Sequence, residues 1–258
     1  GSRPKRPSGA RSAVAADPEI LTVGRVTVMA KNISMDQSQI TAETRGNVEA
    51  SAIRVAATGS QSRPVDVDDF DRTGFTMSGS LTLSNGASIN GNTYLAGKGA
   101  SIAVKAGLLA LEGGDRPTLI VASTLNQGGQ GQVPTLQATG DGGSIDITAN
   151  TVRLANGGQI QSSTVTQGKA GAIRVQASEM TIDGQNAAQK QTGIFGTANP
   201  GSGGQAATVD LNLGEGTLVI TRRGTISVQN DATVPDAQLA NLAASRLSIA
   251  AKTIQLDQ

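Results

Sequence analysis

The chain has 258 residues, enough to bury a sizeable core without disulfides or metals. It contains no histidine and no cysteine, which removes Ser-His-Asp and Cys-His nucleophilic systems, His-ligated zinc and imidazole acid–base catalysis. Twenty-one basic against twenty acidic residues leave a net charge of +1, so no general attraction to nucleic acid or to an anionic membrane is expected. Aromatic residues make up 2% of the chain and glycines number 33, so the core must be assembled from thin aliphatic side chains rather than large rings, which suits a narrow, stacked arrangement.

Taken in chain order, residues 1–19 read as a flexible N-terminal segment, with Arg3, Lys5, Arg6 and Arg11 set among Pro, Ser and Gly. Gly1-Ser2 has the form of a cloning scar. Residues 20–258 read as a single domain in which one apolar template recurs. Its clear copies are Val26/Val28/Ala30/Ile33/Met35, Ile102/Val104/Ala106/Leu109/Leu111, Ile145/Ile147/Ala149/Val152/Leu154, Ile173/Val175/Ala177/Met180/Ile182 and Leu247/Ile249/Ala251/Ile254/Leu256. Steps of two place side chains on one face of a strand, and the single step of three in each copy changes the face, which is what a corner does. Asn85-Gly86 and Asn156-Gly157-Gly158 then punctuate the chain before a third short strand.

Weaker copies near Val48, Phe75 and Val209 bring the prediction to about eight coils of a right-handed parallel β-helix, a rod of roughly 40 Å at about 4.8 Å per winding. The open ends of such a stack suggest that it continues into more helix in a longer native protein. Three insertions, Ser60 to Thr73, Ser123 to Asp141 and Asp183 to Gly204, are assigned to loops, and the linker from Ala232 to Asn241 to a short helix. Local function is expected on these loops.

The stretch GDGGSIDITANTVRLANGGQIQSSTVTQGKAGAIRVQASEMTIDG, followed by TGIFGTANPGSGG, resembles the repeat region of filamentous-haemagglutinin-like exoproteins. The likeness is best from Gly99 to Asn230. The family's secretion domain carries Asn-Pro-Asn motifs, whereas here the only Asn-Pro is Asn199-Pro200, so the segment corresponds to a region downstream of that domain. The resemblance implies export through an outer-membrane two-partner secretion transporter, a secreted or cell-surface location, and an adhesive role toward a host, cell-surface or glycan receptor. It implies the export route more firmly than the activity. No stable membrane insertion is expected, since no apolar run approaches the roughly 20 residues that span a bilayer.

Chemistry on this scaffold is expected to be absent: no catalytic, cofactor-binding or metal-binding residue is assigned, and the chain is read as a non-enzyme. The alternative is a carbohydrate-active β-helix, a polysaccharide lyase or hydrolase working through Asp residues and calcium. Its best support is Asp66, Asp68, Asp69 and Asp71, where Asp69, Asp71, Thr73 and Gly74 mimic the start of a calcium loop, but Ser80 stands where that loop needs a bidentate Glu. Gly113-Gly114-Asp115, Gly140-Asp141-Gly142-Gly143 and Gly128-Gly129-Gln130-Gly131 read as turns, and Arg222-Arg223 as a polar outward corner.

Overall fold

A computed structural model describes residues 24–61, 65–71, 77–126, 139–185, 191–234, 236–239 and 244–257. The basic residues of segment 1–19, Thr73, Gly74, Phe75 and the Gly128 to Gly131 run lie outside the described residues. The first winding consists of β1 (Arg25–Ala30), β2 (Ile33–Asp36) and β3 (Gln39–Thr41), one strand for each of three walls. The second is β4 (Ala52–Ala57), β5 (Ser80–Ser84) and β6 (Ser88–Asn90). In the third and fourth, a single bent strand serves two walls: β7 (Ser101–Glu112) followed by β8 (Thr118–Val121), then β9 (Ile145–Ala155) followed by β10 (Gly158–Thr164). The fifth is β11 (Ala172–Gln176), β12 (Glu179–Asp183) and β13 (Gly193–Ala198), and the sixth is β14 (Thr208–Asn212), β15 (Thr217–Thr221) and β16 (Thr225–Asn230). After a helical turn at Asp236–Leu239, β17 (Leu247–Ala250) and β18 (Thr253–Asp257) begin a seventh.

Every strand pairing is parallel and joins one winding to the next, the signature of a parallel β-helix. Its right-handed sense follows from the chirality of parallel crossovers. The first two walls merge into a 12-stranded sheet through β7 and β9, and the third wall is a separate 6-stranded sheet. The recurring template is realised as columns. Val26, Ile53, Ile102, Ile145, Ile173, Val209 and Leu247 lie one above another through direct strand register. On the third wall the inward column is isoleucine throughout: Ile40, Ile89, Ile120, Ile160, Ile194 and Ile226. Mid-rod members such as Ile102, Ile145, Ile160 and Ile194 are fully buried, each worth ~1.5–3 kcal/mol of transfer from water. At the last winding the columns emerge: Leu247 is 41% and Leu256 71% exposed.

Two expectations need correction. The stretch around Phe75 is not a coil of its own, because β5 pairs with β2 and β7 and is the second wall of the winding that β4 opens. The insertion at that corner separates the two halves, so one winding reads as two weak copies, and the described residues form seven windings where about eight coils are expected. Val48 is 56% exposed, and the inward ladder starts at Ile53. Asp183 to Gly204, expected as a loop, contains strand β13. Glycine hides it: Gly196 faces Ala207 and Val209 so closely that a Cβ would lie 2.8 and 3.1 Å from their side chains, and a glycine-bearing segment has little strand propensity.

The corner after the third wall is held by polar stacking. Thr44, Thr93, Thr124 and Thr164 bridge successive windings and are all buried. The hydroxyls of the last three are satisfied inside the corner: Thr93 Oγ1 donates to the Gly97 carbonyl at 2.5 Å, Thr164 Oγ1 to that of Gly168 at 2.6 Å, and Thr124 Oγ1 shares bonds of 2.7 Å with Thr164 and Thr166. Beside them Gly97, Gly140, Gly168 and Gly204 stack so tightly that a Cβ on each of the last three would come within about 2 Å of the carbonyl oxygen below. Gly140 is therefore fixed by close backbone approach.

Candidate functional site

The acidic loop is built for packing. The loop turns through a 3-10 segment at Val67–Asp71, and Asp69 is buried, its Oδ2 accepting the Asp66 N–H at 2.9 Å. Asp71 pairs with Arg54 of β4 at 2.5 Å. Between them Phe70, 2% exposed, clusters with Ala56 and Met77 and against Met29 and Ala103 on the outer surface of the first wall. Arg54 and Lys105 lie over the ring at 5.4 and 4.7 Å, and Lys105 Nζ donates to the Phe70 carbonyl at 2.5 Å. Among the described residues no group of three or more acidic side chains is placed to hold a metal ion. Asp69 and Asp71 serve as a cap and an ion-pair partner.

At the Arg222-Arg223 corner, Arg222 is likewise engaged. Both residues have positive φ, 47° and 70°, at the corner where Asn85-Gly86 and Asn156-Gly157 stand in earlier windings. Arg222 grips Asp183 of the winding below through Nε, at 2.8 Å, and through its terminal nitrogen. That guanidinium holds the Asp183 carboxyl below the usual carboxylate range; partial burial acts against it and the Gln185 N–H adds to it. On the first wall Asp146 pairs with Arg174 at 3.2 Å and Asp210 with Arg246 at 2.8 Å, so acid and base alternate up the outside of the rod. At the corner after the third wall, in the first two windings, Glu43 accepts from Tyr94 at 3.0 Å, from Asn90 at 2.8 Å and from Arg45, which covers the tyrosine ring at 4.7 Å. Burial, then the bond to Glu43, raises the Tyr94 phenol above its ordinary value.

The third wall opens into a groove of about 480 Å³ over the fourth to sixth windings. Its lining is the outward row that alternates with the isoleucine column: Gln159, Gln161 and Ser163 from β10, Phe195 and Thr197 from β13, and Thr225, Ser227 and Gln229 from β16, with Gln191, Asn199 and Asp231 at the margins. Gln161, Phe195 and Ser227 share one register position and form the central line. Several side chains hold one another: Gln161 Nε2 donates to Ser163 Oγ at 3.0 Å, Gln229 Nε2 to Asp231 at 2.5 Å, and Gln159 Nε2 to the Gln191 carbonyl at 2.8 Å. Phe195 is only 8% exposed although it points away from the interior column.

No protein-family model matches this chain, and no curated protein or solved structure matches it. The groove therefore has to be read from its own chemistry. Besides the loop insertions, the sequence points to broad polar faces as contact surfaces, and this groove lies on such a face. The signal lay in the alternate positions of the third-wall strands, Gln-x-Gln-x-Ser, Phe-x-Thr and Thr-x-Ser-x-Gln, beside an unbroken isoleucine row.

Proposed function

We propose that this chain is a structural and adhesive segment of a bacterial exoprotein, exported by two-partner secretion and secreted or displayed at the cell surface, in which a stiff β-helix presents binding groups without reorganising. The observation that carries the reading is the stacking itself: unbroken inward columns fix the backbone of every wall, so outward side chains are preorganised by the scaffold and lose little entropy on contact. Several outward charges are paired with one another, which favours contact over proton transfer. Among the described residues the lining of the third-wall groove has one carboxylate, Asp231, whereas glycoside hydrolysis commonly employs two across the scissile bond. That supports binding over cleavage. The export route and location rest on the resemblance of Gly99 to Asn230 to filamentous-haemagglutinin-like repeats.

Beads coated with the protein test the adhesive role against host-cell, matrix and glycan surfaces. Retention on at least one surface is expected; retention on none overturns adhesion. Incubation with a polysaccharide panel, with and without calcium, is expected to yield no new reducing or unsaturated ends, and their appearance would establish the lyase or hydrolase instead. Export is tested by producing a secretion-competent form together with a two-partner transporter. Protein that stays inside the cell contradicts the route.

A further inference from the structure

We infer that the third-wall groove is a binding site for an uncharged oligosaccharide chain lying across β10, β13 and β16. This rests on the adhesive reading and adds the ligand class. The groove volume, about 480 Å³, falls within the range of small-molecule sites. It crosses three adjacent strands, two steps of about 4.8 Å, about the length of a disaccharide or trisaccharide.

The lining selects among ligand classes. Glutamine amides and Ser or Thr hydroxyls offer both donors and acceptors, the match for sugar hydroxyls, which are themselves both. The bonds from Gln161 to Ser163 and from Gln229 to Asp231 engage amide N–H groups, and among the described residues the amide oxygens of Gln161 and Gln229 accept none. Those oxygens and Asp231 present acceptors, and among the described residues the lining holds no cation, so a sulfated or carboxylated glycan would meet repulsion there. An apolar ligand would strand buried polar groups, at ~1–3 kcal/mol for each one left unpaired. Phe195 stands on the central line and is 8% exposed, so it adds a small apolar contact between the amides for a pyranose C–H while most of its ring packs beneath them. A peptide adding as a strand is disfavoured, because β10 and β13 are already paired on both sides and the groove lies on the sheet face.

The test is calorimetric titration of the whole protein with neutral hexasaccharides of the cello-, chito-, manno- and xylo- series, beside a heparin hexasaccharide and an uncharged hexapeptide. Binding of at least one neutral series is expected, with heparin and peptide silent. Phe195→Ala should weaken it by about two- to five-fold, the loss of a small apolar contact and of the ring that packs beneath the flanking amides. Ser227→Arg, which fills the central line from the strand at the rod's open side, should abolish it while circular dichroism stays unchanged. Silence of all four neutral series overturns the inference, as does preference for heparin or peptide, or full binding by the folded Ser227→Arg protein. If the coated beads still adhere while the neutral sugars are silent, the adhesive reading stands and only the groove assignment falls.

Discussion

Phe70 and Phe195 are both buried and both lie outside the interior columns, yet their surroundings are opposite. Phe70 arrives on an insertion and is clamped by Arg54, Lys105 and the first wall, so its ring is consumed in fastening the loop to the rod. Phe195 belongs to a wall strand and is surrounded by amides and hydroxyls in an open groove. On a rod whose interior admits only thin side chains, an aromatic residue is pushed outward, and what closes over it determines whether it serves stability or contact. The insertion that drew attention for its acidic residues is the stabilising region; the plainer strand is the one with room for a ligand.

Removing each ring should separate the two cases. Phe70→Ala is expected to cost about 3 kcal/mol in urea denaturation, because the ring is enclosed and its loss leaves two cations over a cavity. A cost under ~1 kcal/mol would mean that the insertion is not fastened through this ring. Phe195→Ala should cost about 1 kcal/mol by the same measurement, since the ring packs outside both apolar clusters, among amides and hydroxyls that water can reach once it is gone. An equal loss for both variants would erase the contrast.

The corner leading into the groove gives smaller effects. Asp183 has its folded-state pKa depressed by Arg222, so its contribution is present at neutral pH and is lost as pH falls below the ordinary carboxylate value and through the depressed one. Acid titration of stability should therefore show a decline below about pH 4 that flattens in Arg222→Ala. An unchanged acid limb in that variant would show that the pair does not hold the corner. Arg223→Gly should raise stability by about half a kcal/mol, since a positive φ of 70° costs a side-chain-bearing residue more than glycine's extra freedom in the unfolded chain. A loss on this substitution would mean that the Arg223 side chain contributes contacts that outweigh the strain.

Much of the rod was legible in the residues. The two-two-three-two spacing located the first and second walls, and Ile102, Ile145 and Ile173 do share one column. Asn156-Gly157 marked a real corner, with φ of 46° and 94°. The winding count failed where an insertion split β4 from β5, and β13 failed because Gly193 and Gly196 mute its strand pattern. The candidate groove was least legible, because its residues looked like ordinary polar alternation, whereas Asp66 to Asp71, the sharpest polar cluster, was assigned no metal or catalytic role.

The sequence by itself determined that thin aliphatic side chains must stack in register, because a repeated spacing of apolar positions can be buried only by identical spacing in the next winding. It also excluded imidazole and thiol chemistry, since those groups are missing. Tertiary structure alone decided which outward residues became neighbours. Gln161, Phe195 and Ser227 are far apart along the chain, and only the register of β10, β13 and β16 brings them into one line. Inward positions announce themselves through the hydrophobic effect acting on every winding alike, whereas outward positions acquire meaning only from what the winding places beside them.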